Sequence, residues 1–304
     1  ITLTTADASM TLALGTTTTG TRAVDSSAAA KAKTVVITGS DALALTSVNS
    51  TVNAEAYAGA ITAEFTNTDD GTFQMGTAAT SVAVKGANGA KTLTVDADAN
   101  TGTAGALTIA DGGAVAGDIA VSGLESGITI ANDFTGTGDI AIAVANVAQT
   151  LALGTSTTGT RAVDGDLLAD TIVATMTGSD VATVSLVAGD LSAAAYTGAL
   201  TVTATTGTNV IIGGTGANTI TGGDGIDTLT GGASVDTYIY DADDSASVAA
   251  ASDASTGEDT ITNFAKAADK VKITGQLADG FSIATDVLVG TADVSSAASA
   301  EAVA

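Results

Sequence analysis

The chain has 304 residues, 33 Asp and Glu against 9 Lys and Arg, a net charge of −24, and no His, Cys, Pro or Trp. Disulfides, thiolate chemistry, Ser-His-Asp and Cys-His catalysis and zinc sites of the HExxH kind are therefore excluded from it. An acidic surface of this size repels nucleic-acid phosphates and anionic membranes and attracts divalent cations, so neither nucleic acid nor membrane insertion is expected.

Hydrophobic residues make up 45 %, but aromatics only 3 %. The apolar content is thus small and β-branched, which suits thin, closely stacked strands. No run of 18 apolar residues occurs, so no membrane-spanning helix is expected. Residue 1 is Ile and no basic segment precedes an apolar one; neither end is treated as a natural terminus, and whether the chain is a fragment of a longer protein stays open.

Residues 11–25 read TLALGTTTTGTRAVD, and 150–164 read TLALGTSTTGTRAVD. The same offset of 139 carries Gly39-Ser40-Asp41 onto Gly178-Ser179-Asp180, and 57–62 onto 196–201. Matches held without gaps in one register indicate an internal duplication. Between the copies, strands are expected at 91–95, 107–110, 119–121, 128–131 and 140–144, each introduced by Gly or Asp. Near-even steps at Gly105, Gly117, Gly127 and Gly138 favour a β-helix-like stack, with a hairpin meander as the alternative. Helical signal is confined to a turn or two at 26–33, 246–251 and 295–303.

Residues 207–240 fall into blocks of nine. Gly213-Gly214-Thr215-Gly216-Ala217-Asn218-Thr219-Ile220-Thr221 is followed by Gly222-Gly223-Asp224-Gly225-Ile226-Asp227-Thr228-Leu229-Thr230. Gly231-Gly232-Ala233-Ser234-Val235-Asp236-Thr237-Tyr238-Ile239 closes the run, and a partial copy with Asn209 and Ile211 precedes it. Six residues make a turn and three a short strand. Glycines let carbonyls converge, aspartates add hard anionic oxygens that suit Ca²⁺, and Ile211, Ile220, Leu229 and Tyr238 point inward. The plainer reading, a flexible glycine-rich loop, does not account for apolar residues held in step.

This G-G-x-G-x-D-x-U-x pattern, with U a large apolar residue, resembles the RTX (repeats-in-toxin) family. The resemblance implies a parallel β-roll of two nonapeptides per coil, with calcium between turns two repeats apart. Carried over, it pairs Asn209 with Asp227 and Asn218 with Asp236. The implied metal set is Asn209, Gly213, Gly214, Gly216, Asn218, Gly222, Gly223, Asp224, Gly225, Asp227, Gly231, Gly232, Asp236 and Asp259. Each pair is half amide and holds less charge than an all-Asp site, and Ser234 replaces a fourth-position glycine.

Beyond the roll, 257–264 read GEDTITNF and 269–273 read DKVKI. This looks like the cap that follows nonapeptide repeats in type I-secreted proteins. Ile261, Phe264, Val271 and Ile273 are expected to cover the open end of the roll. Asp259 is either a ligand of the last turn or a surface turn residue, while Asp243, Asp244 and Asp253 read as solvated loop. Carboxylate pairs such as Asp69-Asp70 leave sugar cleavage possible by residue type, but Trp platforms are missing, and the chain is not expected to be an enzyme.

The whole resembles a Gram-negative surface-layer protein, on the specific motif at about 207–275 and on composition elsewhere. The expected fold class is all-β: repetitive β-solenoid or β-sandwich modules followed by a calcium-binding parallel β-roll. The expected divisions are 1–139, 140–206, 207–240 and 241–304. The resemblance implies an extracellular, cell-surface location, Ca²⁺ as cofactor, copies of the same chain as partner in a lattice, and lipopolysaccharide as a further partner through parts outside this sequence. An adhesin segment, or the export region of a secreted hydrolase, are the alternatives.

Overall fold

The computed structural model describes residues 1, 9–16, 20–25, 34–47, 51–66, 70–78, 80–85, 92–98, 107–111, 118–125, 127–131, 139–155, 159–241, 259–265 and 267–274. Among them there are strands and turns but no helix. The segments 26–33, 246–251 and 295–303 lie outside the described residues, as do Asp243, Asp244, Asp253 and Asp69.

The chain forms two compact units, one of residues 1–145 with 149–163 and one of 146–148 with 164–304. The first holds β1 (Met10–Ala13), β2 (Thr21–Asp25), β3 (Thr34–Thr38), β4 (Ala42–Ser47), β5 (Thr51–Asn53), β6 (Ile61–Thr66), β7 (Gly71–Gln74), β8 (Thr80–Lys85), β9 (Thr92–Asp96), β10 (Leu107–Asp111), β11 (Asp118–Leu124), β12 (Ile128–Ile130), β13 (Ile140–Val144) and β14 (Gln149–Ala152). The division falls within β15 (Thr160–Gly165). The second holds β16 (Val173–Gly178), β17 (Val181–Leu186), β18 (Asp190–Tyr196), β19 (Leu200–Ala204), β20 (Val210–Ile212), β21 (Asn218–Thr221), β22 (Thr228–Thr230), β23 (Thr237–Asp241), β24 (Thr260–Thr262) and β25 (Lys270–Thr274).

Within each unit a strand pairs in parallel with the next strand but one, so odd and even strands build two facing sheets. This is a β-solenoid with two strands per coil, and the hairpin alternative fails because the strand pairs among the described residues are parallel. Parallel sheets are usually covered on both faces and read as unbroken apolar runs. Here one face meets solvent, so the strands alternate. In β19, Leu200, Val202 and Ala204 are buried while Thr201 and Thr203 are exposed. The interior is narrow and filled from both sheets; Phe65 of β6 and Phe73 of β7 meet with ring centroids 5.4 Å apart.

The duplication is present strand for strand. Strands β1 to β6 correspond at the 139-residue offset to β14 to β19. Leu12 is half-buried in the terminal strand β1, and its counterpart Leu151 is fully buried. β1 corresponds to β14, an odd number of strands along, so the copy begins in the even-numbered sheet. Side-chain direction survives this half-coil shift because both sheets face the same interior. Each copy has the same corner. Tyr57 and Tyr196 are fully buried and donate to the carbonyls of Asp41 and Asp180 at 2.6 and 2.5 Å. Gly59 and Gly198 sit against those same carbonyls, where an added Cβ would be 2.1 and 2.3 Å from oxygen. Arg22 donates to Asp41 at 2.7 Å with its side chain 43 % exposed. Its counterpart Arg161 is fully buried and donates to the Thr160 carbonyl.

Strand pairing continues from β19 into β21 and from β18 into β20, so the glycine repeats extend the same stack.

Candidate metal centre

The nonapeptides fold as the period dictates. β20 pairs with β22, and β21 with β23, each at an 18-residue offset, so two repeats make one coil. Ile211, Ile220, Leu229 and Tyr238 are all fully buried, as the sequence predicts. The turns between strands are too tight for side chains. Gly225 (φ +139°) and Gly232 (φ +149°) pass so close to the previous coil that a Cβ would stand 1.6 Å from the Gly207 oxygen and 1.9 Å from the Gly214 oxygen.

Two columns of polar residues run along these turns. Asn209, Asp227 and Asp259 precede β20, β22 and β24. Asn218, Asp236 and Asp269 stand at the start of β21 or just before β23 and β25. In each column a side chain of one coil accepts the backbone N–H of the coil before it. Asp227 Oδ1 accepts from Asn209 at 2.8 Å, and Asp259 Oδ1 accepts from Asp227 at 2.8 Å. Asp236 Oδ1 accepts from Asn218 at 2.9 Å, and Asp269 Oδ1 accepts from Asp236 at 3.0 Å. Both pairings drawn from the sequence are thus in contact, and Asp259 belongs to a turn column.

Asp269 is the residue that the motif did not reveal. It lies outside the nonapeptide phase, and only the pairing of Lys270 with Thr237 brings it under Asp236. Its Oδ2 also accepts the Ala265 N–H at 2.7 Å, which shapes the cap turn. Strands β24 and β25 add to the two sheets after the glycine repeats. Ile261 pairs with Leu229 and Val271 with Tyr238, and the Phe264 ring is 6.0 Å from that of Tyr238. Val271 is buried, Ile261 and Phe264 are half-buried, and the Ile273 side chain lies outside the described residues.

The columns carry oxygen in excess. Asn209 Oδ1, Asp236 Oδ2 and Asp259 Oδ2 are buried and have no hydrogen-bond partner. Buried acceptors without donors cost about 1–3 kcal/mol each, more when charged, and call for an explanation. Glycine backbone also crowds the carboxylates of the columns: a Cβ on Gly222 would meet Asp227 Oδ2 at 2.4 Å, and one on Gly231 would meet Asp236 Oδ2 at 2.2 Å. Gly223 is backed by the Ala204 carbonyl, and Gly213 by that of Gly231. Asp224 differs from the other residues of the implied metal set. Its side chain is exposed, and its backbone bridges Thr206.

Acidity follows the environment. Burial pushes Asp259 up to about 6, partly offset by the Asp227 N–H. Burial likewise raises Asp236, against the hydrogen bonds from Asn218. Tyr238 is pushed up to about 12 by burial and then by the Asp236 charge, and Tyr240 is raised by burial, Asp259 and Asp227. Asp139, on an outer turn of the first unit, goes the other way, because the Thr160 hydroxyl and N–H donate to it at 2.6 and 2.9 Å.

Among the described residues no three acidic side chains form a metal-holding group. The donor set is one or two carboxylates with glycine carbonyls, all hard oxygens. That set fits a hard divalent cation of the calcium kind, for which backbone and carboxylate oxygens serve together. No protein-family model, curated protein or solved structure matches the chain.

Proposed function

We propose that the chain is a structural, extracellular protein that assembles with copies of itself into a calcium-dependent surface layer, and that it is not an enzyme. The observation that carries this reading is the pair of turn columns, where Asp236 and Asp259 each keep a buried carboxylate oxygen without a donor. Asn209, Asp227 and Asp259 on one side, and Asp236 with Asp269 on the other, would hold Ca²⁺. The ion would supply the positive charge that these turns lack. Ordering glycine-rich turns is costly in entropy, so the cation also fixes a surface that neighbouring copies can meet.

Charge sets the assembly. Subunits at −24 repel one another in low salt. Calcium lowers that charge and bridges carboxylates, whereas sodium only screens. The cell surface of a Gram-negative bacterium and contact with lipopolysaccharide are parts of the same proposal and follow from the motif resemblance.

The test is light scattering and negative-stain imaging in calcium, in chelator, and in sodium at matched ionic strength. Sheets or tubes are expected in calcium alone, and monomers in the other two. Asp227→Ala and Asp259→Ala should raise the calcium needed, while Asp224→Ala should not. A calcium-bound monomer at every concentration would overturn the surface-layer reading in favour of an adhesin or export segment.

A further inference from the structure

One turn of the column is already closed from within. The Asn218 carboxamide nitrogen donates to Gly216 O at 2.8 Å, Gly214 O at 3.1 Å, Gly231 O at 3.1 Å and Asp236 Oδ1 at 2.7 Å. Two protons are thus shared among four oxygens that surround one point. The orientation is fixed, because Asn218 Oδ1 accepts the Gly214 N–H at 3.0 Å. Turning the amide over would set an oxygen against four acceptors. Ser234, which stands where the repeat has glycine, donates its hydroxyl to the Thr215 carbonyl at 2.7 Å and removes one more oxygen from the turn.

We infer that the Asn218 carboxamide is a built-in substitute for a cation, which closes this turn without metal and bars a divalent ion from it. The nitrogen occupies the centre of the cage, and Ca–O distances of about 2.3–2.6 Å leave no room for an ion beside it. Asn218 is 2 % exposed, so it cannot swing into solvent without opening the coil. The neighbouring columns show what the amide does. Asp236 accepts from Asn218 through Oδ1, while its Oδ2, beside Gly231, stays without a donor. The other amide, on Asn209, points its nitrogen back to the Gly189 carbonyl of the previous coil at 2.7 Å and leaves its own oxygen without a partner. Asn209 therefore offers an oxygen to its turn, and Asn218 offers protons. Position 218 thus decides whether its turn is self-closed or cation-closed. The closure does not depend on the calcium reading above; only the number of ions bound by the natural chain rests on it.

The test uses the full chain with Asn218 and with Asn218→Asp and Asn218→Ala. Calcium stoichiometry is read by isothermal titration, and melting is followed in chelator and in calcium. Asn218→Asp should bind one calcium more than the natural chain. It should melt lower in chelator and recover in calcium. Asn218→Ala should melt lower in both and gain no ion. A folded Asn218→Asp with unchanged stoichiometry overturns the inference. No calcium on the natural chain together with one on Asn218→Asp overturns the calcium reading alone. If Asn218→Asp does not fold, NMR of the natural chain decides. Slow exchange of the Asn218 side-chain amide protons, in chelator as well as in calcium, is expected. Fast exchange in either condition overturns the inference.

Discussion

Two kinds of corner turn the same coil. In the duplicated segments the corner is plugged by a side chain, with Tyr57 or Tyr196 fully buried and its hydroxyl on a backbone carbonyl. In the glycine repeats the turn has no side chain to fill it, and carbonyls and carboxylates face one another instead. A tyrosine corner brings its own proton donor and its own apolar bulk. A glycine turn brings carbonyl and carboxylate oxygens that face into it, and it is closed either by an in-chain amide, as at Asn218, or by something from solution. The lesson is that the coil does not dictate what closes it; the donor count at each corner does.

The comparison breaks most sharply at the glycines. Gly225→Ala places a Cβ 1.6 Å from a backbone oxygen at φ +139°, and strain together with overpacking should cost roughly 2–4 kcal/mol. Gly20→Ala, at φ +112° with nothing within 4 Å, should cost less, since only strain remains. Thermal melting of the two variants separates crowding from conformation. Equal losses would show that the close approach to the coil below is not what matters.

A smaller effect tests the other corner. Tyr57→Phe and Tyr196→Phe each leave a buried carbonyl without its donor, at a cost of about 1–3 kcal/mol. The two losses should agree, because the corners are built alike, and neither should depend on calcium. A calcium-dependent loss at Tyr57 would mean that the two kinds of corner are coupled.

The smallest expected effect concerns Asp139, whose carboxylate is already served by Thr160. Its folded acidity is held below the ordinary carboxylate value by that hydroxyl and N–H. The stability it adds is therefore present above the unfolded value and is lost as pH falls through the folded one. Melting of Asp139→Asn against the natural chain should differ slightly at neutral pH and converge in acid. A difference that persists below the folded value would assign Asp139 a role other than its charge.

Much of this was legible in the residues. The nine-residue phase determined the four inward side chains, because backbone geometry ties apolar spacing to strand period, while the coil of two repeats was implied by the RTX resemblance. The ungapped 139-residue offset determined six matching strands, since a slip of one residue would turn every side chain outward. The pairing of Asn209 with Asp227 and of Asn218 with Asp236 was implied by the same resemblance. Tertiary structure alone decided the rest. Asp269 enters its column only through the register of β25 on β23, after residues 242–258, whose sequence carries no periodic signal. The half-coil shift between the copies depends on how many strands the intervening residues make, and a strand's alternation is the same in either sheet, so it does not tell which sheet the strand joins. The roles of the two asparagines were hidden for a deeper reason. Both occupy the same place in the repeat, yet one turns its nitrogen to the carbonyl of the coil below and the other to the centre of its own turn. An amide presents oxygen and protons from one group, so only the positions of the surrounding carbonyls determine which of the two it offers.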